Sequence, residues 1–174
     1  MKNVRTLVEA GLMIALAQVL SYVTIITMPQ GGSVTAGSMV PILFFALRRG
    51  WKQGMLAGAV YGTLQFILGP KYSFHIISLL FDYGVAFAAL GLAGVVRPTS
   101  RVKIAIGTAI GVLGRFACHF VSGVVIWSTY AEGTNPYVYS LIYNGSYLLP
   151  EMIVSAIILM LIYLPVSQKI DQRA

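Results

Sequence analysis

Charge is what this chain has least of. Charged residues fill 10% of its 174 positions, and only five are Asp or Glu, against twelve Lys and Arg. A soluble domain carries about 25% charged residues, so a water-soluble globular fold could not coat itself with so few. One cysteine, Cys118, sits inside an apolar run and provides neither a disulfide framework nor a metal pair. No GxxxxGK[ST] string occurs, so ATP-driven work would need an ATPase on another chain. Internal repeats are absent too, and the polar stretches are too short for a soluble catalytic domain.

Apolar sequence is what remains, at 57% of residues. At about 20 residues per spanning helix, six spans use roughly 120 residues and leave short loops. The expected fold is an all-α integral membrane protein, one six-helix domain over residues 1–174. Span one runs from Leu7 to Ile26, and Glu9 and Gln18 inside it, with no clear cleavage site after it, make it a retained helix rather than a signal peptide. Span two covers Thr35 to Leu47, span three Met55 to Leu68, and span four His75 to Val96. Span five covers Ile104 to Trp127, and span six Tyr137 to Leu164. Pro98, in the basic linker after span four, is a helix stop.

Basic residues set the orientation. Lys2, Arg5, Arg48, Arg49, Lys52, Arg97, Arg101, Lys103, Lys169 and Arg173 fall at alternate ends with the termini, whereas the opposite loops hold only Lys71. This bias places both termini in the cytoplasm. It also accounts for the net charge of +7 without a nucleic-acid partner.

An ionisable group inside a span is costly and therefore a functional candidate. Glu9, Asp82, Arg115 and His119 qualify, with Glu151 a weaker fifth. Glu9 lies near the inner mouth, where water or Arg5 would satisfy it. Asp82 lies roughly 10 Å below the outer end of its span, and His119 roughly 12 Å below the outer end of the next, at 1.5 Å per residue. Arg115 shares a helix face with His119 at i and i+4. Tyr139 and Asn144 stand at similar depth in span six. One acid, one imidazole, one amide and several aromatics suit a small, flat, cationic or amine-bearing heterocycle. The acid supplies countercharge, Asn144 donates and accepts, and Trp127 and the tyrosines offer faces worth about 0.5–2 kcal/mol each to a cation. The plainer alternatives are an Asp82–Arg115 pair that only ties two helices together, an interfacial belt formed by Tyr130, Tyr137, Tyr139 and Trp127, and core packing by Tyr143 and Tyr147. On span one, Gly11 and Ala15 form a small-xxx-small step that permits close helix approach.

The stretches MPQGGS at 28–33, LLFDYGVAFAALG at 79–91, RFACHFVSGVVIW at 115–127 and VYSLIYNGSYLLP at 138–150 resemble the thiamine-specific substrate-binding (S) components of energy-coupling factor (ECF) transporters, the ThiT/YuaJ family. The resemblance runs through essentially the whole chain. It implies a multi-pass cell-membrane protein that binds thiamine tightly from outside. A transmembrane coupling protein and two cytoplasmic ATPases would complete this ABC-type vitamin transporter. It implies no enzyme activity, no metal and no other cofactor. Carried over by position, the ligand contacts are Tyr72, Asp82, Tyr83, His119, Trp127, Tyr139 and Asn144, with Arg115 near the acid. His119 and Trp127 would stack on the thiazolium, and Tyr139 and Asn144 would meet the pyrimidine. Residues 27–36, including Gln30, Gly31, Gly32 and Ser33, would form an extracellular lid loop, and Gly11 with Ala15 would meet the coupling protein. Where the best-known members carry Glu and a lid Trp, this chain has Asp82 and Gly32. The rival readings are an S component for another vitamin or a precursor such as hydroxymethylpyrimidine, an intramembrane enzyme working through Asp82 and His119, and an assembly protein.

Overall fold

The computed structural model describes residues 2–172. Arg173 and the side chain of Lys2, both counted in the inner basic group, lie outside that description. The chain forms α1 (Lys2–Ser21), a two-stranded antiparallel hairpin of β1 (Thr24–Thr27) and β2 (Ser33–Thr35), α2 (Val40–Arg49) and α3 (Trp51–Leu68). There follow the helical segment α4 (Ile76–Val95), α5 (Arg101–Val125), a 3-10 turn at Trp127–Ala131, and α6 (Pro136–Gln172). It is a helical membrane protein with one small β ribbon.

Six helical bodies fall where the six spans were expected, with boundaries that differ for physical reasons. Span one stops at Ser21 rather than Ile26, because Ile25 and Ile26 are drawn into β1. Span two begins at Val40 rather than Thr35, since Thr35 ends β2 and Pro41 occupies the first helical turn, where a missing N–H costs nothing. Span six extends to Gln172 and carries Pro150 and Pro165 within it; neighbouring helices make such breaks tolerable in a membrane. Among the described residues, α1, α4, α5 and α6 are long and apolar enough to cross a membrane by themselves. The ten residues of α2 rise only about 15 Å. This helix is enclosed by protein instead: every residue from Val40 to Leu47 is buried.

The core forms around α2. Ile42 and Leu43 meet Leu90 of α4, Ile104 of α5 and Leu159 of α6, all without solvent exposure. Large apolar side chains point the other way on α1, where Leu7, Leu12 and Leu16 are exposed, as suits a helix solvated by lipid. Glycines set the spacing of α3 against α4. A Cβ at Gly58 would lie 2.2 Å from the Phe87 carbonyl oxygen, and one at Gly62 would lie 2.3 Å from that of Tyr83. Close backbone contact therefore fixes the segment that carries Asp82.

Glu9 corrects an expectation. It pairs not with Arg5 but with Arg48, Nε to Oε1 at 2.9 Å, and with Arg49, whose Nε donates at 2.9 Å. Arg48 also donates to Ser167 Oγ at 2.7 Å, and Arg5 to the Ile170 carbonyl. One end of the molecule thus gathers these arginines, while Lys71 and the hairpin lie towards the other.

Candidate functional site

Within α4 the residues Leu79–Gly84 form a π-helical turn. One extra residue per turn widens the helix, and such bulges occur often at functional sites. This turn carries Asp82 and Tyr83. Ser78 Oγ, one turn earlier, donates to Asp82 Oδ2 at 2.6 Å; Ser122 Oγ from α5 donates to the same oxygen at 2.8 Å. Trp127 Nε1 stands 3.5 Å from it. The other carboxylate oxygen, Oδ1, lies 3.1 Å from His119 Nδ1.

The imidazole is oriented from its far side. Arg115 Nε donates to His119 Nε2 at 3.1 Å. A guanidinium only donates, so Nε2 accepts and the ring proton sits on Nδ1, directed at Asp82. Arg115 therefore reaches Asp82 through His119, and the direct Asp82–Arg115 pair weighed from the sequence is not what forms. The guanidinium itself lies over the Phe87 ring, 4.0 Å from its centroid. Ser122 serves Asp82 as a donor.

These groups open into a cavity of about 240 Å³. Every ligand contact expected from the sequence lines it: Tyr72, Asp82, Tyr83, Arg115, His119, Trp127, Tyr139 and Asn144. Asn144 is buried and its amide already has protein partners, since Nδ2 donates to the Ser140 carbonyl at 2.9 Å and Oδ1 accepts from Tyr147 Oη at 2.8 Å. Tyr139 and Tyr143 stack with ring centroids 5.7 Å apart, and Tyr147 meets His119 edge-on at 6.2 Å. Tyr83 donates to the Pro70 carbonyl, and Tyr72 sits at the rim, 39% exposed.

The hairpin roofs this space. Gln30, Gly31, Gly32 and Ser33 all line the cavity. Gly31 and Gly32 have φ of +92° and +86°, a region that favours glycine. Their missing side chains also make room for rings: a Cβ at Gly31 would lie 2.8 Å from Tyr72, and one at Gly32 would lie 2.7 Å from Tyr147. A tryptophan at position 32 has no place in this packing, because the Tyr147 ring occupies it.

Several residues of the site were not assigned to it from the sequence. Ser78 and Ser122 carry the Asp82 network; their spacing of four from Asp82 and three from His119 was the available signal. Thr35, Ser38, Tyr61 and Gln65 are polar lining residues that the hairpin, the turn leading into α2, and α3 bring in from segments without intramembrane charge. Tyr143 and Tyr147, whose plainer reading was core packing, have hydroxyls bonded to Gly31 and Asn144. Gly11 and Ala15 lie away from the cavity on the exposed side of α1, and nothing approaches within 4 Å of a Cβ at Gly11. No group of three or more His, Cys, Asp or Glu among the described residues is placed to hold a metal ion.

The chain is similar to known thiamine transporters. The thiamine transporter ThiT of Bacillus subtilis is 36% identical over 178 residues, covering 94% of this chain and 92% of that protein. ThiT of Lacticaseibacillus paracasei is 33% identical over 160 residues, covering 83% and 79%. Among solved structures, ThiT from Listeria monocytogenes superposes with a TM-score of 0.84 at 27% identity, over 94% of this chain and 95% of that one. The sequence model of the thiamine transporter protein family (Thia_YuaJ) matches residues 7–171, and the chain belongs to that family.

Proposed function

We propose that this protein is the thiamine-binding S component of an ECF-type uptake system in the cell membrane. It captures thiamine from the outer face under the 27–36 hairpin, with high affinity. A transmembrane coupling protein and two cytoplasmic ATPases on other chains then drive release inside. The observation that carries the reading is the convergence of Asp82, His119 and Trp127, from three different elements, in one cavity beneath a glycine-bearing roof.

Asp82 offers negative charge to a thiazolium or hydrogen bonds to an aminopyrimidine. His119 and Trp127 present ring faces, Tyr139 and Asn144 bound the pyrimidine end, and Tyr72, Tyr83 and Arg115 complete the wall. Apolar walls with few placed polar groups are the usual design of a small-ligand pocket. The six helical bodies act as six spans of a single domain with both termini in the cytoplasm, an orientation the basic residues favour. Gly11 and Ala15 keep the exposed side of α1 slim for the coupling protein.

Calorimetric titration of the detergent-solubilised protein with thiamine tests this. Saturable one-to-one binding, displaced by excess thiamine but poorly by hydroxymethylpyrimidine, is the expected result. Stronger displacement by hydroxymethylpyrimidine or another vitamin would reassign the ligand within the S components. Chemically altered thiamine after incubation would overturn the binding-subunit reading in favour of an enzyme.

A further inference from the structure

The hairpin is tied to α6 at two levels, by groups of different character. At its base, Thr35 N–H and Thr35 Oγ1 both donate to Glu151 Oε1, the hydroxyl at 2.6 Å. Thr35 has one hydroxyl proton, and the carboxyl oxygen takes it. Ser38 therefore supplies its own protons to Thr35 Oγ1, from its N–H at 3.0 Å and its Oγ at 2.8 Å. Glu151 is 3% exposed, Thr35 3% and Ser38 6%. The Ala36 N–H donating to the Val23 carbonyl at 3.0 Å closes the same end of the ribbon. With these groups buried, water cannot replace the bonds in place, and breaking them strands polar atoms.

The tip is held differently. A single hydroxyl, Tyr143 Oη, accepts from the Gln30 N–H at 2.9 Å and donates to the Gly31 carbonyl at 2.8 Å. Tyr143 and Gln30 are only half-buried, though Gly31 is buried, so water can reach the Tyr143 hydroxyl and take over its bonds once the tip lifts. Tyr72 also packs against Gly31 and Tyr147 against Gly32. Tyr143 and Glu151 are eight residues apart, roughly 12 Å along α6.

We infer that α6 carries both the hinge and the latch of the roof: Glu151, through Thr35, fixes its base, and the Tyr143 hydroxyl holds and releases its tip. Tyr143 is then the positioning residue that sets how long a ligand stays in the cavity. The residence-time statement rests on the cavity being the thiamine site; the hinge and latch do not.

Amide hydrogen exchange of the ligand-free full chain separates the two. In Tyr143→Phe, exchange at Gln30 and Gly31 rises by roughly tenfold, the effect of losing two hydrogen bonds at one hydroxyl. Thr35 and Ala36 keep their wild-type protection. Thr35→Val and Glu151→Leu, by contrast, speed exchange across 33–36, and Glu151→Gln, whose amide oxygen still accepts, retains most of the protection. Unchanged exchange at the tip in Tyr143→Phe, or tip and base loosening together in that variant, would overturn the inference. Stopped-flow dissociation of thiamine supplies the functional readout, with Tyr143→Phe releasing roughly tenfold faster. Thiamine failing to bind the wild type would sink the ligand reading, while the exchange pattern would still decide hinge and latch.

Discussion

Asp82 is held by two serines, a histidine and an indole N–H, an arrangement that only an acceptor can satisfy. Asn in its place would turn an NH2 group towards donors. Asp82→Asn is therefore expected to weaken thiamine binding by roughly 10- to 100-fold, the range for losing charge-assisted hydrogen bonds; calorimetry on the folded variant checks it. Ser122→Ala removes one donor and should cost about 1 kcal/mol of binding. At the roof, Gly32→Ala places a Cβ 2.7 Å from the Tyr147 ring on a backbone of φ +86°. Its expected signature is faster thiamine dissociation without loss of the helical fold. Equal dissociation rates in Gly32→Ala and wild type would show that the roof packing does not govern release. The charged members of the site were legible in the sequence, because charge inside an apolar run marks itself. The serines were not, since hydroxyls are common in membrane helices and only the fold decides which of them meet a carboxylate.

At the scale of elements, the long apolar helices could be read from hydropathy and α2 could not be bounded that way. Its residues are apolar because protein surrounds them, not because they face lipid, so composition alone set its start five residues early. The π turn at Leu79–Gly84 left no pattern in the sequence; it lies where the glycines of α3 approach the carbonyls of Tyr83 and Phe87. The hairpin was expected as a loop, because Ile25 and Ile26 continue the apolar run of α1. Glu9 carries a prediction at this scale. It is the carboxylate through which α1 meets Arg48 and Arg49 of α2, and losing it removes the countercharge the two arginines share. Breaking such a pair costs about 3–5 kcal/mol. Glu9→Ala should lower the thermal midpoint in detergent by several degrees and leave thiamine affinity in the surviving fold unchanged, because Glu9 lies outside the cavity. A changed affinity would mean that the inner end of α1 is coupled to the site.

At the scale of the whole molecule, the cavity stands at one end of a helical body and an arginine cluster at the other. The basic loops favour cytoplasmic termini, and cysteine labelling tests that orientation. In a Cys118→Ser background, Lys71→Cys should react with an impermeant reagent on intact cells, and Arg101→Cys only after permeabilisation. The reverse pattern would invert the protein in the membrane and place the cavity on the cytoplasmic side. The two tryptophans make the central claim directly measurable. Trp127 lines the cavity beside Asp82, whereas Trp51 is exposed beside Lys52 at the start of α3, near the arginine cluster. Titrating the purified protein with thiamine while following tryptophan fluorescence should give tight, saturable quenching. Asp82→Asn should weaken it, and Trp127→Phe should remove the signal while calorimetry still records binding. Quenching that survives in Trp127→Phe, or a folded wild type that binds no thiamine by either method, would contradict the account.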